Sequence, residues 1–256
     1  MQFKIIYEQP LNERIRTFLR LEHLFKITRH HINSNSEWDN RATISNLLGI
    51  VDLLGRSDLK SDLIKELERH SSTLNSLSNN PNVDSNRLES ILENLNRVLS
   101  SLKDTTYQPG QNLKQDELIT SIKQRNTIPG GSCNFDLPNY HHWLHKPDEK
   151  RISDLEYWYQ DLDLINEGLR LSLSMIRNSA NPTYEKAVNG FFQKPIEPNL
   201  SCQLIRILLP IETGYFPEIS GGKHRFTVRF MGQTSTGERP VQTQEDIEFE
   251  LHCCIL

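Results

Sequence analysis

Residues 225–230 read Arg225-Phe226-Thr227-Val228-Arg229-Phe230, and residues 247–251 read Ile247-Glu248-Phe249-Glu250-Leu251. In both, apolar and polar side chains alternate, the period of a β-strand with one buried and one wet face. Phe226, Val228 and Phe230 share one side; Arg225, Thr227 and Arg229 share the other. Two more runs, Val188 to Gln193 and Cys202 to Ile211, are of strand type. With His224 to Met231 and Ile247 to Leu256 they predict an antiparallel sheet with one solvated face in the last third of the chain. Pro195, Pro198, Pro210, Pro217, Gly221-Gly222 and a polar tip at Gly232 to Pro240 punctuate it.

Upstream of Val188 the period changes to that of a helix. Ile15, Phe18, Leu21, Phe25 and Ile32 mark one face of a first helix, with Asn12 as its N-cap and Glu13 in the first turn. Ile44, Leu47, Leu48, Val51 and Leu54 form a second stripe that stops near Gly55. Ser57 or Asp58 caps a third, carrying Leu59, Leu63, Leu67, Leu74 and Leu77. Asn79-Asn80-Pro81-Asn82 breaks the chain. Asp84 caps a fourth, whose Leu88, Leu92, Leu95, Leu99 and Leu102 suit packing inside a bundle. Tyr107 to Gly110 is a turn, and one short helix holds Leu113, Leu118 and Ile122. After Asp136-Leu137-Pro138 comes a helical turn with Tyr140, His141, Trp143 and His145. Pro147-Asp148 opens a region helical to about Ser179, with Gly168 as its candidate interruption. At the other end, Phe3 to Gln9 reads as a strand. The fold class that follows is mixed α and β, segregated, with a helical domain inserted between an N-terminal strand and a C-terminal antiparallel β-domain. The boundaries expected are 10–182 for the helical domain and 1–9 plus 183–256 for the β-domain.

The 256 residues carry 29 Lys and Arg against 33 Asp and Glu, a formal net charge of −4. A general nucleic-acid binder would carry a basic excess instead. No apolar run is long enough to span a membrane, and the first residues lack a signal-peptide core. Four cysteines without a framework spacing read as reduced thiols of a cytoplasmic protein.

Candidate chemistry is sparse. His141 and His145 lie four apart, a metal-ligand spacing, but no third ligand pattern, HExxH or CxxC accompanies them. A metal-dependent hydrolase centred on these histidines is the alternative reading. Pro129-Gly130-Gly131-Ser132 lacks the phosphate-loop pattern and reads as a tight turn needing positive φ. Neither a nucleophile elbow nor a dinucleotide fingerprint occurs. Cys253-Cys254-Ile255-Leu256 formally matches a prenylation box, but an acidic run precedes it and it continues a strand, so it reads as a strand end. The basic residues group more suggestively. Arg16 and Arg20 are one turn apart on the first helix, and Lys223, His224, Arg225 and Arg229 cluster on one strand. Such grouping in an acidic chain can steer an acidic peptide; the alternative, which spacing alone favours slightly, is ordinary solvated helix and sheet surface.

Several segments together resemble the ZapD family of bacterial cell-division proteins. They are Tyr7 to Glu13 with Arg16-Thr17 and Leu19-Arg20; Leu63 to Leu67; Arg125 with Ile128-Pro129-Gly130-Gly131; Phe135-Asp136-Leu137-Pro138; and His141 with Trp143-Leu144-His145. Asn189-Gly190-Phe191, Pro217 with Ile219-Ser220-Gly221, Arg225-Phe226, Arg229-Phe230-Met231, Phe249-Glu250-Leu251 and Cys253-Cys254 complete the match. The resemblance implies a non-enzymatic homodimer without a cofactor, acting in the cytoplasm at the mid-cell division site. It would bind the C-terminal tail of the filament-forming GTPase FtsZ and bundle its filaments, with no nucleic acid and no membrane insertion. Carried over by position, it implies Arg20 and His141 as tail-binding residues. Arg225 and Arg229 match basic family positions, and with the adjacent Lys223 complete the expected partner-binding set. Glu117 stands where the family pattern has an Arg; Lys114, one helical turn back, is the available substitute.

Overall fold

The computed structural model describes every residue except 1–3, 57, 79, 82, 198–200 and 223. Phe3, Ser57, Asn79, Asn82, Pro198 and Lys223, all used in the sequence reading, therefore lie outside the described residues. The element order is β1 (Lys4–Pro10), α1 (Glu13–His31), α2 (Glu37–Arg56), α3 (Leu59–Ser76), α4 (Ser85–Lys103), α5 (Gln111–Gln115), α6 (Glu117–Arg125), α7 (Pro138–Leu144), α8 (Asp148–Gln160) and α9 (Asp163–Asn178). Then follow β2 (Thr183–Ala187), β3 (Phe191–Pro195), β4 (Leu204–Pro210), β5 (Tyr215–Gly221), β6 (Arg225–Gly232), β7 (Val241–Gln242) and β8 (Ile247–Cys254). A helical block thus stands between an N-terminal strand and C-terminal antiparallel strands, as the change of period predicts. The chain forms two compact units, residues 17–172 and residues 1–16 with 173–256.

The helix caps are those expected. Asn12 Oδ1 accepts from Ile15 N at 2.9 Å, and the Asp58 and Asp84 side chains accept from Ser61 N and Arg87 N. These bonds satisfy amides that the first turn of a helix leaves without partners. The apolar stripes face inward: Phe18, Phe25, Leu47, Leu63, Leu95 and Leu169 are all buried. Burial of each such side chain contributes about 1.5–3 kcal/mol. Leu77 does not join them; it lies beyond the end of α3 and is exposed.

Two expected continuous helices are broken. The segment holding Leu113, Leu118 and Ile122 splits at Asp116, whose extended backbone (φ −78°, ψ 123°) ends α5 and caps α6. The long region from Asp148 breaks at Asp161-Leu162, not at Gly168. Asp161 has a reason to stop a helix, because its carboxylate accepts from Asn112 N at 2.9 Å. Gly168 sits inside α9 because a Cβ there would come to 3.0 Å from Leu63 and 3.3 Å from Leu102.

The β-unit holds two sheets where the sequence suggested one. The first has the order β1-β4-β8-β2, the second β3-β6-β5 with β7 paired to β6, and all pairs are antiparallel. The first strand does join the C-terminal ones: Lys4 to Pro10 run beside Pro210 to Leu204. The two sheets pack face to face through one core. Ile205, Ile207, Leu209, Phe249 and Leu251 from the first meet Phe226, Val228 and Phe230 from the second. Phe249 makes ring contacts with Phe230 and Phe192 at 5.1 and 5.2 Å. The run Val188 to Gln193 is not a single strand. Asn189 (φ 51°) and Gly190 (φ 69°) form a left-handed turn between β2 and β3.

Candidate partner-binding surface

The surface begins with β6, the middle strand of the second sheet. Its alternation sends Phe226, Val228 and Phe230 into the core and leaves Arg225 and Arg229 exposed. Ladder partners fix what stands beside them. Arg229 lies between Phe191 of β3 and Glu218 of β5; Arg225 pairs with Pro195. Neither guanidinium forms an ion pair or hydrogen bond with a described residue. The rigid strand therefore presents two cations on one face. The exposed Phe191 gives an apolar contact beside one of them, a neighbour that strand reading alone could not pair with Arg229. Glu218 was missed for the same reason, and it is the acid an incoming carboxylate must outcompete. Lys223 lies outside the described residues.

Arg20 belongs to the helical unit. It is exposed on α1, away from the buried Phe18, Leu21 and Phe25. Like the strand arginines it pairs with no described residue. Its neighbour Arg16 is already engaged by Glu13. On the same helix Arg29 stacks on Tyr159 at 4.2 Å and pairs with Glu156 at 3.0 Å. Among these three, only Arg20 has its donors uncommitted.

His141 is positioned by a short aromatic helix. Pro138 at the first turn presets the helical φ of α7. Tyr140 and Trp143 then turn inward, stacked at 6.1 Å, and Trp143 meets Trp158 at 5.7 Å. The indole Nε1 of Trp143 donates to Asp154 at 2.9 Å. Burial pushes the Tyr140 hydroxyl up to about 12, against the opposing charge of Arg41, whose guanidinium lies 5.0 Å from the ring. At the other end Arg151, itself buried, donates to the Leu144 carbonyl at 2.9 Å and satisfies a terminal acceptor. With that face anchored, His141 is half-buried and His142 and His145 are exposed.

The rings of His141 and His145 are 4.4 Å apart, so the four-residue spacing does place them on one side. His145 Nδ1 is bonded to the His141 carbonyl at 2.8 Å, which puts the proton on that nitrogen. Among the described residues no group of three His, Cys, Asp or Glu side chains could hold a metal ion. The hydrolase alternative has no assembled site there. The Pro129 to Ser132 segment is the tight turn expected. Gly130 has φ 72°, and the amides of Gly131 and Cys133 already bond to the Ile128 and Gly130 carbonyls. A Cβ on Gly131 would fall 2.4 Å from the Arg125 carbonyl.

Lys114 does not lie one helical turn behind Glu117. Asp116 separates them, leaving Lys114 exposed on α5 and Glu117 as the first residue of α6. An acid in that first turn is favoured by the helix dipole, which gives Glu117 a local role of its own. Arg20 and His141 thus belong to the helical unit, and Arg225 and Arg229 to the β-unit.

Comparison with known proteins matches residues 19–229 to a family model named ZapD and described as a cell division protein. A protein named Cell division protein ZapD from Methylococcus capsulatus is 43% identical over 256 residues, 100% of both chains. Its namesake from Coxiella burnetii is 38% identical over 251 residues, covering 98% of this chain and 97% of that one. Another from Aromatoleum aromaticum is 38% identical over 252 residues, 98% of each.

Proposed function

The chain belongs to the ZapD family of cell-division proteins, and on that premise we propose that it is a non-enzymatic crosslinker of FtsZ filaments. Arg20, His141, Arg225 and Arg229, with Lys223 two positions before Arg225 in sequence, bind the carboxylates of the FtsZ C-terminal tail. The observation that carries this reading is the state of the arginines. Three exposed guanidinium groups make no ion pair with a described residue, and a planar fork pairs a carboxylate bidentately where an ammonium cannot. A flexible tail must be ordered as it docks, so a single attachment is weak. Two sites on a homodimer make the second attachment effectively intramolecular once filaments lie side by side. That converts weak binding into bundling at the mid-cell division site without a catalyst or cofactor. The described helices include none long and apolar enough to cross a membrane, which fits a protein recruited by its partner.

The test is co-sedimentation with FtsZ filaments, full-length and tail-deleted. Bundling of full-length filaments and its loss on tail deletion is the expected result. Equal bundling of tail-deleted filaments would remove the tail from the mechanism.

A further inference from the structure

Two thiols meet at one end of the β-unit. Leu204 of β4 pairs with Cys254 of β8, and Gln203 N donates to the Cys254 carbonyl at 2.8 Å. This ladder brings the residue before Gln203 beside the end of β8. There Cys202 and Cys253 both pack against the sheet core, and the Cys202 thiol donates to the Leu204 carbonyl at 3.8 Å. Both line a pocket of about 150 Å³ with Lys194, Ile196, Phe226 and Ile255. The Lys194 ammonium is held close by Glu185 at 2.8 Å. The pocket is open to solvent yet too small for a peptide-sized reagent.

We propose that Cys202 and Cys253 form a reversible dithiol–disulfide couple, oxidised by hydrogen peroxide, which is small enough to enter the pocket they share. The neighbouring Cys202 thiol favours the Cys253 thiolate, and Lys194 adds to it against the opposing charge of Glu185 and the cost of burial. Cys202, whose thiol proton is directed at the Leu204 carbonyl, is held protonated by the neighbouring Cys253 and by burial. Cys253 is therefore the nucleophile and Cys202 the resolving thiol. The Cys253 thiolate attacks one peroxide oxygen; an S–O bond forms, the O–O bond breaks, and the departing hydroxide takes up a proton. Cys202 sulfur then attacks the resulting sulfenic acid. The S–S bond forms, the S–O bond breaks, and the Cys202 proton leaves with the hydroxide as water. One peroxide is reduced to two waters, and two thiols become one disulfide. Cys254 is not a competitor: it is fully buried, and burial pushes its thiol up to about 12. Exposed Cys133 has access but no thiol partner among the described residues.

The test treats the reduced full chain with equimolar hydrogen peroxide and maps its peptides without reductant. The expected product is a linked pair of peptides containing Cys202 and Cys253, two hydrogens lighter than the free peptides and reversed by dithiothreitol. C133S should leave the link unchanged. C202S should stop at a sulfenic acid on Cys253 that dimedone traps. Alkylation of Cys253 in the untreated chain should follow pH with a midpoint below that of an ordinary thiol. The proposal fails if Cys202 and Cys253 of the wild-type chain both stay alkylatable after peroxide has oxidised Cys133. It fails equally if the link joins Cys253 to Cys254 or joins two chains.

Discussion

A guanidinium held in water without an acidic neighbour keeps its donors for a visitor. Arg20 and Arg225 are in that state. Replacing either by Ala should weaken binding of a synthetic FtsZ tail peptide by about 1.5–3 kcal/mol, the range for hydrogen bonds to charged groups, or roughly ten- to a hundredfold. Titration calorimetry reads the loss, and it should shrink as added salt screens the charges over about 8–10 Å. The melting temperature should not move, because neither side chain supports the fold. Wild-type affinity in both variants would make these residues ordinary solvated surface. Asp39 illustrates the opposite case, a carboxylate working for its own chain. The Ser34 hydroxyl and then His31 donate to it, and they hold its pKa below the usual 3.8. A depressed folded value means that its contribution is complete above pH 3.8 and lost as pH falls through the lower folded value. Asp39→Asn should therefore cost stability near neutrality and flatten the acid limb of a pH-stability curve below pH 4. An unchanged acid limb would show that the Ser34 and His31 bonds do not persist in solution.

At the scale of elements, the breaks rest on carboxylates whose partners are far away in sequence. Asp116 Oδ1 accepts from Ile119 N at 3.0 Å and Oδ2 from the Trp158 indole at 3.1 Å. Asp116→Ala loses a cap worth about 1 kcal/mol and strands a buried indole N–H, so the cost should reach about 2 kcal/mol or more. Asp116→Asn keeps the cap and turns an amide toward Trp158; chemical denaturation should place it between Ala and wild type. Equal midpoints for all three would deny Asp116 this role. The same features show where sequence reading stops. The stripes of α1 to α4 and the alternation of β6 and β8 were legible because burial writes directly into local period. The split at Asp116 was not, since its second bond is to Trp158, 42 residues on. Alternation reveals that a strand has an inner face but not which sheet faces it, so two sheets read as one. Pro217 read as a breaker but lies in β5, an edge strand, where a missing N–H is tolerated. The exposed arginines were legible as candidates. Their freedom from ion pairs was not, because it depends on where every acid of the fold comes to rest.

For the whole molecule, the pairing of β1 with β4 makes the first residues part of the C-terminal architecture. Deleting residues 1–9 should strip hydrogen-exchange protection from Ile205 to Leu209 and destabilise the β-unit; unchanged protection would refute that dependence. Two valences are needed for crosslinking, so light scattering at micromolar concentration should report about twice 29.8 kDa. A monomer that still bundled filaments would require two tail sites on one chain. The β1–β4 pairing also sets a timetable for synthesis. Pro10 and Leu204 are paired yet 194 positions apart. At roughly 5–20 residues per second, a nascent chain would leave the ribosome with its first strand unmatched for about 10–40 s. During that interval the helical unit, whose contacts are all encoded between the two strands, can close. Ile5 and Ile6 must meanwhile stay out of other chains' reach, a burden that a sheet built from consecutive strands would never impose on the translating cell.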